Sequence, residues 1–283
     1  MSKVSAATKA RENAIIQEFM MITQATQKSA SAFVKKHKTL DASLDAYFND
    51  PGAQTSTAGN KGQEKKLGDI WEKYKDPSDP KLMKIDGTLE WCKVLDLDPS
   101  SDSVLFCLAA DLGSKATGEW EKGPFVQGWM AMPGNIDSIA GMKAALPALR
   151  RKLNSDPQYF KKVYMHTFDL IKAPGSRVLG LEEACDMWNL FIVPAMASRP
   201  SALSYENEAK PQAASSVPKF TKTQFDMWIA FQKKRGKAVS KDTWSLLVDF
   251  IRSIDAEFKD YDESGAWPST IDDFVEYVRS QQR

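Results

Sequence analysis

Between Lys241 and Val278 the chain reads KDTWSLLVDFIRSIDAEFKDYDESGAWPSTIDDFVEYV. Apolar residues fall at helical spacing on both sides of an acidic turn, Asp260-Tyr261-Asp262-Glu263-Ser264-Gly265, which runs into Ala266-Trp267-Pro268. The same spacing recurs through the rest of the chain, and long Val/Ile/Thr alternations are absent. An all-α fold is therefore expected. The 283 residues suffice for about two domains, and 42% hydrophobic residues can fill a sizeable core.

Three short helices are expected in residues 10–50. Ile15, Ile16, Phe19, Met20 and Ile22 mark the first, Ala30, Phe33 and Val34 the second, and Leu40, Leu44, Tyr47 and Phe48 the third, with Asn49-Asp50-Pro51 closing it. Residues 51–64, PGAQTSTAGNKGQE, are small and polar and read as a flexible linker. A larger domain is expected over 65–280, with helices near 65–75, 87–95, 100–112, 122–132, 136–153, 157–172 and 180–192. Within it, residues 193–218 are rich in Pro, Ala and Ser and read as a loose insertion. Helical pattern resumes at Thr221 and runs to Lys233-Lys234-Arg235-Gly236.

Charge is balanced, 38 Lys+Arg against 37 Asp+Glu, which gives no global field for nucleic acid or a membrane. The short basic run Lys233-Lys234-Arg235-Gly236-Lys237 reads as a solvated loop, because aromatic interleaving and a wider basic face are missing. No apolar run approaches the roughly 18 residues of a membrane span. The N-terminus lacks the apolar core of a signal peptide. Three widely spaced cysteines, Cys92, Cys107 and Cys185, suit free thiols in a reducing compartment.

The acidic turn invites comparison with a calcium loop. Asp260, Asp262, Ser264 and Gly265 match positions 1, 3, 5 and 6 of an EF-hand, but position 12, which should supply a bidentate Glu, is Ile271. Asp76 to Gly87 also has a helix-loop-helix look without ligand spacing. Both read as EF-hand-like helix pairs that need no ion, and no metal or cofactor is expected. A calcium sensor stands as the alternative class.

Helix starts carry acids instead. Ser240 is placed to cap a helix with Asp242 in its first turn, and Ser269 to cap the last helix, with Asp272 and Asp273 in its first turn. A carboxylate there is favoured by the helix dipole, by ~0.3–1 kcal/mol. Asp255 to Glu276 holds eight acids (Asp255, Glu257, Asp260, Asp262, Glu263, Asp272, Asp273, Glu276) and one base, Lys259. That surplus suits a partner bearing Lys and Arg. Catalytic chemistry finds little support: there are only two histidines, His37 and His166, and each Cys sits in an apolar helical setting. P-loop, dinucleotide, HExxH and GxSxG signatures are absent. A thioester-carrying Cys is the third class considered.

KDTWSLLVDF followed by YDESGAWPSTIDDFVEY resembles the C-terminal signature of the defective-in-cullin-neddylation family, whose larger unit is called the PONY domain. EKYKDPSD, IDG, LDLDPSS, HTFDLIKAPG and MWNL fit the same domain in order. FMMITQATQKSASAF with DAYFNDP resembles that family's ubiquitin-associated-like module. The resemblance covers residues 12–50, 66–192 and 219–279.

It implies a scaffold-type ligase, without catalytic residues of its own, that promotes transfer of the ubiquitin-like modifier to cullins. It implies a cullin-binding Asp-Ala-Asp patch at Asp242, Ala266 and Asp272, where Ala266 leaves room for an incoming side chain. It also implies a pocket for the acetylated N-terminal Met of the conjugating enzyme. The matching positions are Val104, Cys107, Leu108, Leu112, Thr117, Gly118, Trp120, Leu170, Met187 and Leu190. Periodicity alone assigns these to the core. Thr88 stands where animal relatives carry an aliphatic residue, and Leu170 and Met187 where they carry aromatics. Gln24-Ala25-Thr26 occupies the place of the Met-Gly-Phe loop of ubiquitin-binding relatives. The expected partners are a cullin C-terminal domain, the N-acetylated conjugating enzyme and ubiquitin through residues 12–50, with the chain a monomer in nucleus and cytoplasm.

Overall fold

A computed structural model describes residues 2–23, 25, 27–49, 53–204, 220–255, 257–259 and 261–281. Along these residues the helices and strands are α1 (Ser2–Thr23), α2 (Gln27–His37), α3 (Leu40–Phe48), α4 (Ala53–Tyr74), β1 (Leu82–Met83), α5 (Ile85–Val94), α6 (Val104–Asp111), β2 (Trp120–Glu121), α7 (Lys122–Ala131), α8 (Ile139–Ser155), α9 (Pro157–Ile171), β3 (Val178–Leu179), α10 (Leu181–Ala197), α11 (Lys222–Arg235), β4 (Val239–Ser240), α12 (Lys241–Ser253) and α13 (Ser269–Gln281). Among the described residues the strands form two antiparallel pairs of two residues each, β1 with β2 and β3 with β4. The all-α expectation holds.

The chain divides into two units, residues 1–74 with 122–142, and residues 75–121 with 143–283. Segments 65–74 and 122–142, expected with the larger domain, therefore group with the N-terminal helices. In the first unit Ile16, Phe19, Ala25, Ala30, Val34 and Tyr47 form a small core. Phe19 meets Tyr47 edge-on at 5.4 Å and stacks on Phe33 at 6.0 Å. Thr23 helps to end α1: its hydroxyl donates to the Phe19 carbonyl at 2.7 Å and accepts from Ala25 N–H at 3.2 Å. Thr39 caps α3 by accepting from Ala42 N–H. Gln24, Thr26, Asp50 and Pro51 lie outside the described residues.

The flexible linker expected over 51–64 is corrected by α4, which is helical from Ala53 onward. Its glycines and threonines disfavour helix locally, but the helix is held from afar. Gln63 is buried and donates to the Ile136 carbonyl at 2.9 Å. Lys66 pairs with Asp137, and α4 packs along α7, where Lys122 pairs with Glu72 at 2.6 Å.

In the second unit α9, β3 and α10 are matched by α11, β4 and α12. The two helix–strand–helix units join through Val178↔Ser240 and Leu179↔Val239, the plan of a paired EF-hand without its ions. Tyr164 and Trp244 stack at 4.2 Å in the centre of this unit. The Tyr164 hydroxyl donates to the Trp244 carbonyl at 3.0 Å and accepts from the Trp188 indole at 2.9 Å, while the Trp244 indole donates to the Tyr164 carbonyl at 3.0 Å. The polar tips of Tyr164, Trp188 and Trp244 thus all find partners, as burial of Tyr and Trp demands. Trp188 meets Trp228 at 5.4 Å and Trp228 meets Phe274 at 5.1 Å, which carries the packing through α11 to α13.

The loose insertion expected over 193–218 is also corrected in its first part. Helix α10 continues to Ala197 with Pro194 inside it. Beyond it Ser201, Ala202 and Leu203 are buried. Ala202 N–H donates to the Asn154 carbonyl at 2.8 Å, and Arg252 donates to the Ala202 carbonyl at 2.9 Å. Residues 205–219 lie outside the described ones. The basic run at 233–235 is the last turn of α11 rather than a loop, and Gly236 ends the helix with φ 62°.

Candidate functional site

Strand β4 delivers the chain straight into α12. Ser240 is extended (φ −72°, ψ 157°), and its hydroxyl accepts from Thr243 N–H at 3.1 Å. This is the cap that the sequence predicts. Asp242 follows in the first turn, exposed, while Lys241 is drawn aside to Asp169 at 2.6 Å. The Asp242 carboxylate therefore sits at the positive end of the helix dipole, facing solvent.

The turn after α12 is closed by its own groups. Asp262 accepts from both Ser264 N–H, at 2.9 Å, and Ser264 Oγ, at 2.7 Å; the hydroxyl's hydrogen bond holds this carboxyl below its usual range. Gly265 N–H donates to the Asp262 carbonyl at 3.1 Å, and Trp267 N–H to the Gly265 carbonyl at 2.8 Å. Only glycine fits at 265, because a Cβ there would lie 2.8 Å from the Trp267 indole nitrogen and 3.0 Å from the Asp262 carbonyl. Trp267 meets Phe250 of α12 edge-on at 5.8 Å, and Tyr261 stacks on Trp267 at 6.2 Å. Ala266 is exposed on the turn. Ile271, at the twelfth loop position, is fully buried, and Asp260, at the first, lies outside the described residues.

Helix α13 opens on Ser269 itself, so this residue is the first of the helix rather than the expected cap, and Asp272 alone is the acid of its first turn. The Tyr261 hydroxyl donates to Asp272 Oδ1. Residue Tyr261 was missed by reading the sequence for acids; its only signal there is a tyrosine set between aspartates. The other acids divide. Glu263 pairs with Arg279 at 2.5 Å, and Asp255 accepts from Glu257 N–H at 2.7 Å, whereas Asp273 and Glu276 are exposed. Asp242, Ala266 and Asp272 thus lie on α12, the turn and α13, elements that pack on one another through Phe250 and Phe274 at 6.2 Å.

Four of the second group of residues lie on α6 or at its end. Val104, Cys107 and Leu108 on α6, Leu112 at its end and Trp120 on β2 are buried, as periodicity assigns them. Gly118, Leu170, Met187 and Leu190 are half-buried, and Thr117 is exposed. Helix α6 packs on α9. The loop between α6 and β2 is tied at both sides. Thr117 Oγ1 donates to the Leu170 carbonyl at 3.2 Å, and Thr88 Oγ1 donates to the Gly118 carbonyl at 2.8 Å while accepting from the Trp120 indole at 2.9 Å. The departure noted at Thr88 thus has a structural use: one hydroxyl joins two of these positions. Gly118 takes φ +72°, and a Cβ on it would lie 2.8 Å from Ile85 Cδ1. Ile85 and Leu89 are exposed apolar residues on α5.

All three cysteines are buried. Burial pushes the Cys92 thiol up to about 11 and the Cys107 thiol up to about 12, and raises Cys185 as well. Thiols held protonated in this way are poor nucleophiles, which disfavours the thioester-carrying class.

The sequence matches the cullin binding family over residues 141–277, a span that includes Leu170, Met187, Leu190, Asp242, Ala266 and Asp272. It is 54% identical over its whole length to Defective in cullin neddylation protein 1 of Cryptococcus neoformans var. neoformans serotype D, of which 99% is covered. Proteins of the same name from Pyricularia oryzae and Saccharomyces cerevisiae are 31% and 27% identical over 93% and 96% of this chain, covering 92% and 95% of their own lengths. With the signature on α12, the turn and α13, this whole-length similarity shows that the chain belongs to the defective-in-cullin-neddylation family.

Proposed function

We propose that the chain acts in cullin neddylation as a scaffold-type ligase that holds a cullin C-terminal winged-helix region and the N-acetylated N-terminus of the conjugating enzyme. The observation that carries this reading is the presentation of Asp242 and Asp272 in the first turns of two packed helices, with exposed Ala266 on the turn between them. A basic side chain of the cullin can approach over the small Ala266 and meet carboxylates that the helix dipoles favour.

The chemistry belongs to the held partners. A cullin lysine, once its Nζ has lost a proton, attacks the thioester carbonyl on the conjugating enzyme; an amide forms and the enzyme's thiol leaves. The scaffold raises the effective concentration of the two macromolecules and restricts their orientation. It needs no nucleophile for this, and burial raises the thiols of all three cysteines above their usual range. The half-buried Gly118, Leu170, Met187 and Leu190, together with the buried α6 residues, are the positions that would offer an apolar seat for an acetylated methionine. Exposed Met21, Ile22 and Phe48 support the further reading that residues 12–50 contact ubiquitin. On this reading the chain works as a monomer in nucleus and cytoplasm.

The test is a titration of the whole chain and of Asp272→Ala with a cullin C-terminal fragment. Loss of binding with an unchanged circular dichroism spectrum is expected; undiminished binding sinks the proposal. Parallel titrations with acetylated and unacetylated N-terminal peptides of the conjugating enzyme test the second site, where tighter binding of the acetylated peptide is expected.

A further inference from the structure

We infer that Tyr261 is a positioning residue of the acidic docking surface, setting the orientation of the Asp272 carboxylate that meets the partner's basic side chain. The inference rests on the docking reading above and adds to it the residue through which Asp272 is aimed.

Three observations meet at Tyr261. Its hydroxyl donates to Asp272 Oδ1, eleven residues along the chain. The residue is only 9% exposed, its ring stacked on Trp267 and set edge-on to Phe250 at 6.0 Å, so the hydroxyl has little freedom to move away. The turn that carries it is tied to α13 a second time, because Arg279 pairs with Glu263 and donates to the Phe258 carbonyl at 3.4 Å.

A half-exposed aspartate at a helix start would otherwise sample several rotamers. With Oδ1 held by the hydroxyl, Oδ2 is left to accept from a lysine or arginine in one fixed direction. Fixing a binding group before the partner arrives removes that ordering cost from association. Asp242 is exposed and has no such tyrosine in its own helical turn. The two acids of the patch therefore play different parts, Asp272 as the aimed group and Asp242 as an exposed group at the helix start.

The experiment is a double-mutant cycle on the full chain, titrated with a cullin C-terminal winged-helix fragment. Tyr261→Phe keeps the ring packing and removes only the hydroxyl. It is expected to weaken binding ~3- to 10-fold, the usual worth of one hydrogen bond, with a melting point lower by no more than about 2–4 °C. In an Asp272→Asn background, which keeps the shape and some affinity, Tyr261→Phe is expected to cost less than twofold more. In an Asp242→Asn control background the full 3- to 10-fold loss is expected to persist. An unchanged affinity for Tyr261→Phe overturns the inference, as does an equal loss in the Asp272→Asn and Asp242→Asn backgrounds, which means a merely structural tyrosine. Undiminished binding by Asp272→Asn itself overturns the docking reading, and the inference with it.

Discussion

The Tyr261 hydroxyl donates to the Asp272 carboxylate and so joins the acidic turn to the first turn of α13. Charge counting treats the acids of the tail as equivalent, but they are not. Asp262 is spent on Ser264 and Glu263 on Arg279, Asp272 is held by a tyrosine, and Asp242 stands at a capped helix start. The surface left for a partner is thereby narrower than a net charge suggests.

Asp272→Ala is expected to cost about 2–5 kcal/mol in cullin-fragment binding, the range for breaking one charged contact at an interface. It also removes the acceptor of the Tyr261 hydroxyl. A loss near 1 kcal/mol of stability follows, or a melting point lower by about 2–4 °C for a unit of this size. Titration calorimetry and thermal melts read the two effects separately.

Gly265→Ala forces the turn to shift, since the new methyl would lie 2.8 Å from the Trp267 indole nitrogen and 3.0 Å from backbone. Overpacking of this kind costs about 1–3 kcal/mol. A changed Trp emission spectrum is expected together with weaker cullin-fragment binding, because Trp267 and Ala266 move with the turn. Urea unfolding and fluorescence check it.

Thr88→Val keeps the volume but removes the hydroxyl that serves the Gly118 carbonyl and the Trp120 indole. Leaving these polar groups unpaired is expected to cost about 1–3 kcal/mol in urea unfolding. Gly118 then loses one of its ties, and binding of the acetylated peptide is expected to weaken, while cullin-fragment binding stays unchanged.

Stability is expected to fall with alkali starting near pH 9. Burial raises Cys92 from 9.0 to about 11 and Cys107 from 9.0 to about 12. The unfolded chain therefore releases these protons first. A raised folded pKa contributes stability that is intact below the unfolded value and is lost as pH climbs towards the folded one. Equilibrium unfolding between pH 7 and 11 should show the decline, flattened in a Cys92→Ala/Cys107→Ala chain. At pH 8 neither thiol should react with a labelling reagent until the protein unfolds.

What the sequence determined by itself is local. The 3.6-residue spacing located the helices. The Ser240 cap depends on Thr243, three residues away, and the acids at positions 242 and 272 follow from where those helices begin. Family signatures singled out Ala266 and the α6 positions as candidates, which spacing alone assigns only as turn and core.

Tertiary structure decided whatever depends on distant partners. Residues 53–64 are weak helix formers, yet Gln63 is buried against the Ile136 carbonyl, 73 positions further on. Segment 201–203 looks like linker, yet Asn154 and Arg252 supply the partners for its backbone. Tyr261 reads as one more turn residue until α13 folds back to bring Asp272 under its hydroxyl. Helical period and capping act within one or two turns of chain, so they are written in neighbouring residues. A buried amide, a pinned loop or an aimed carboxylate needs a partner that only the packed fold brings within about 3 Å.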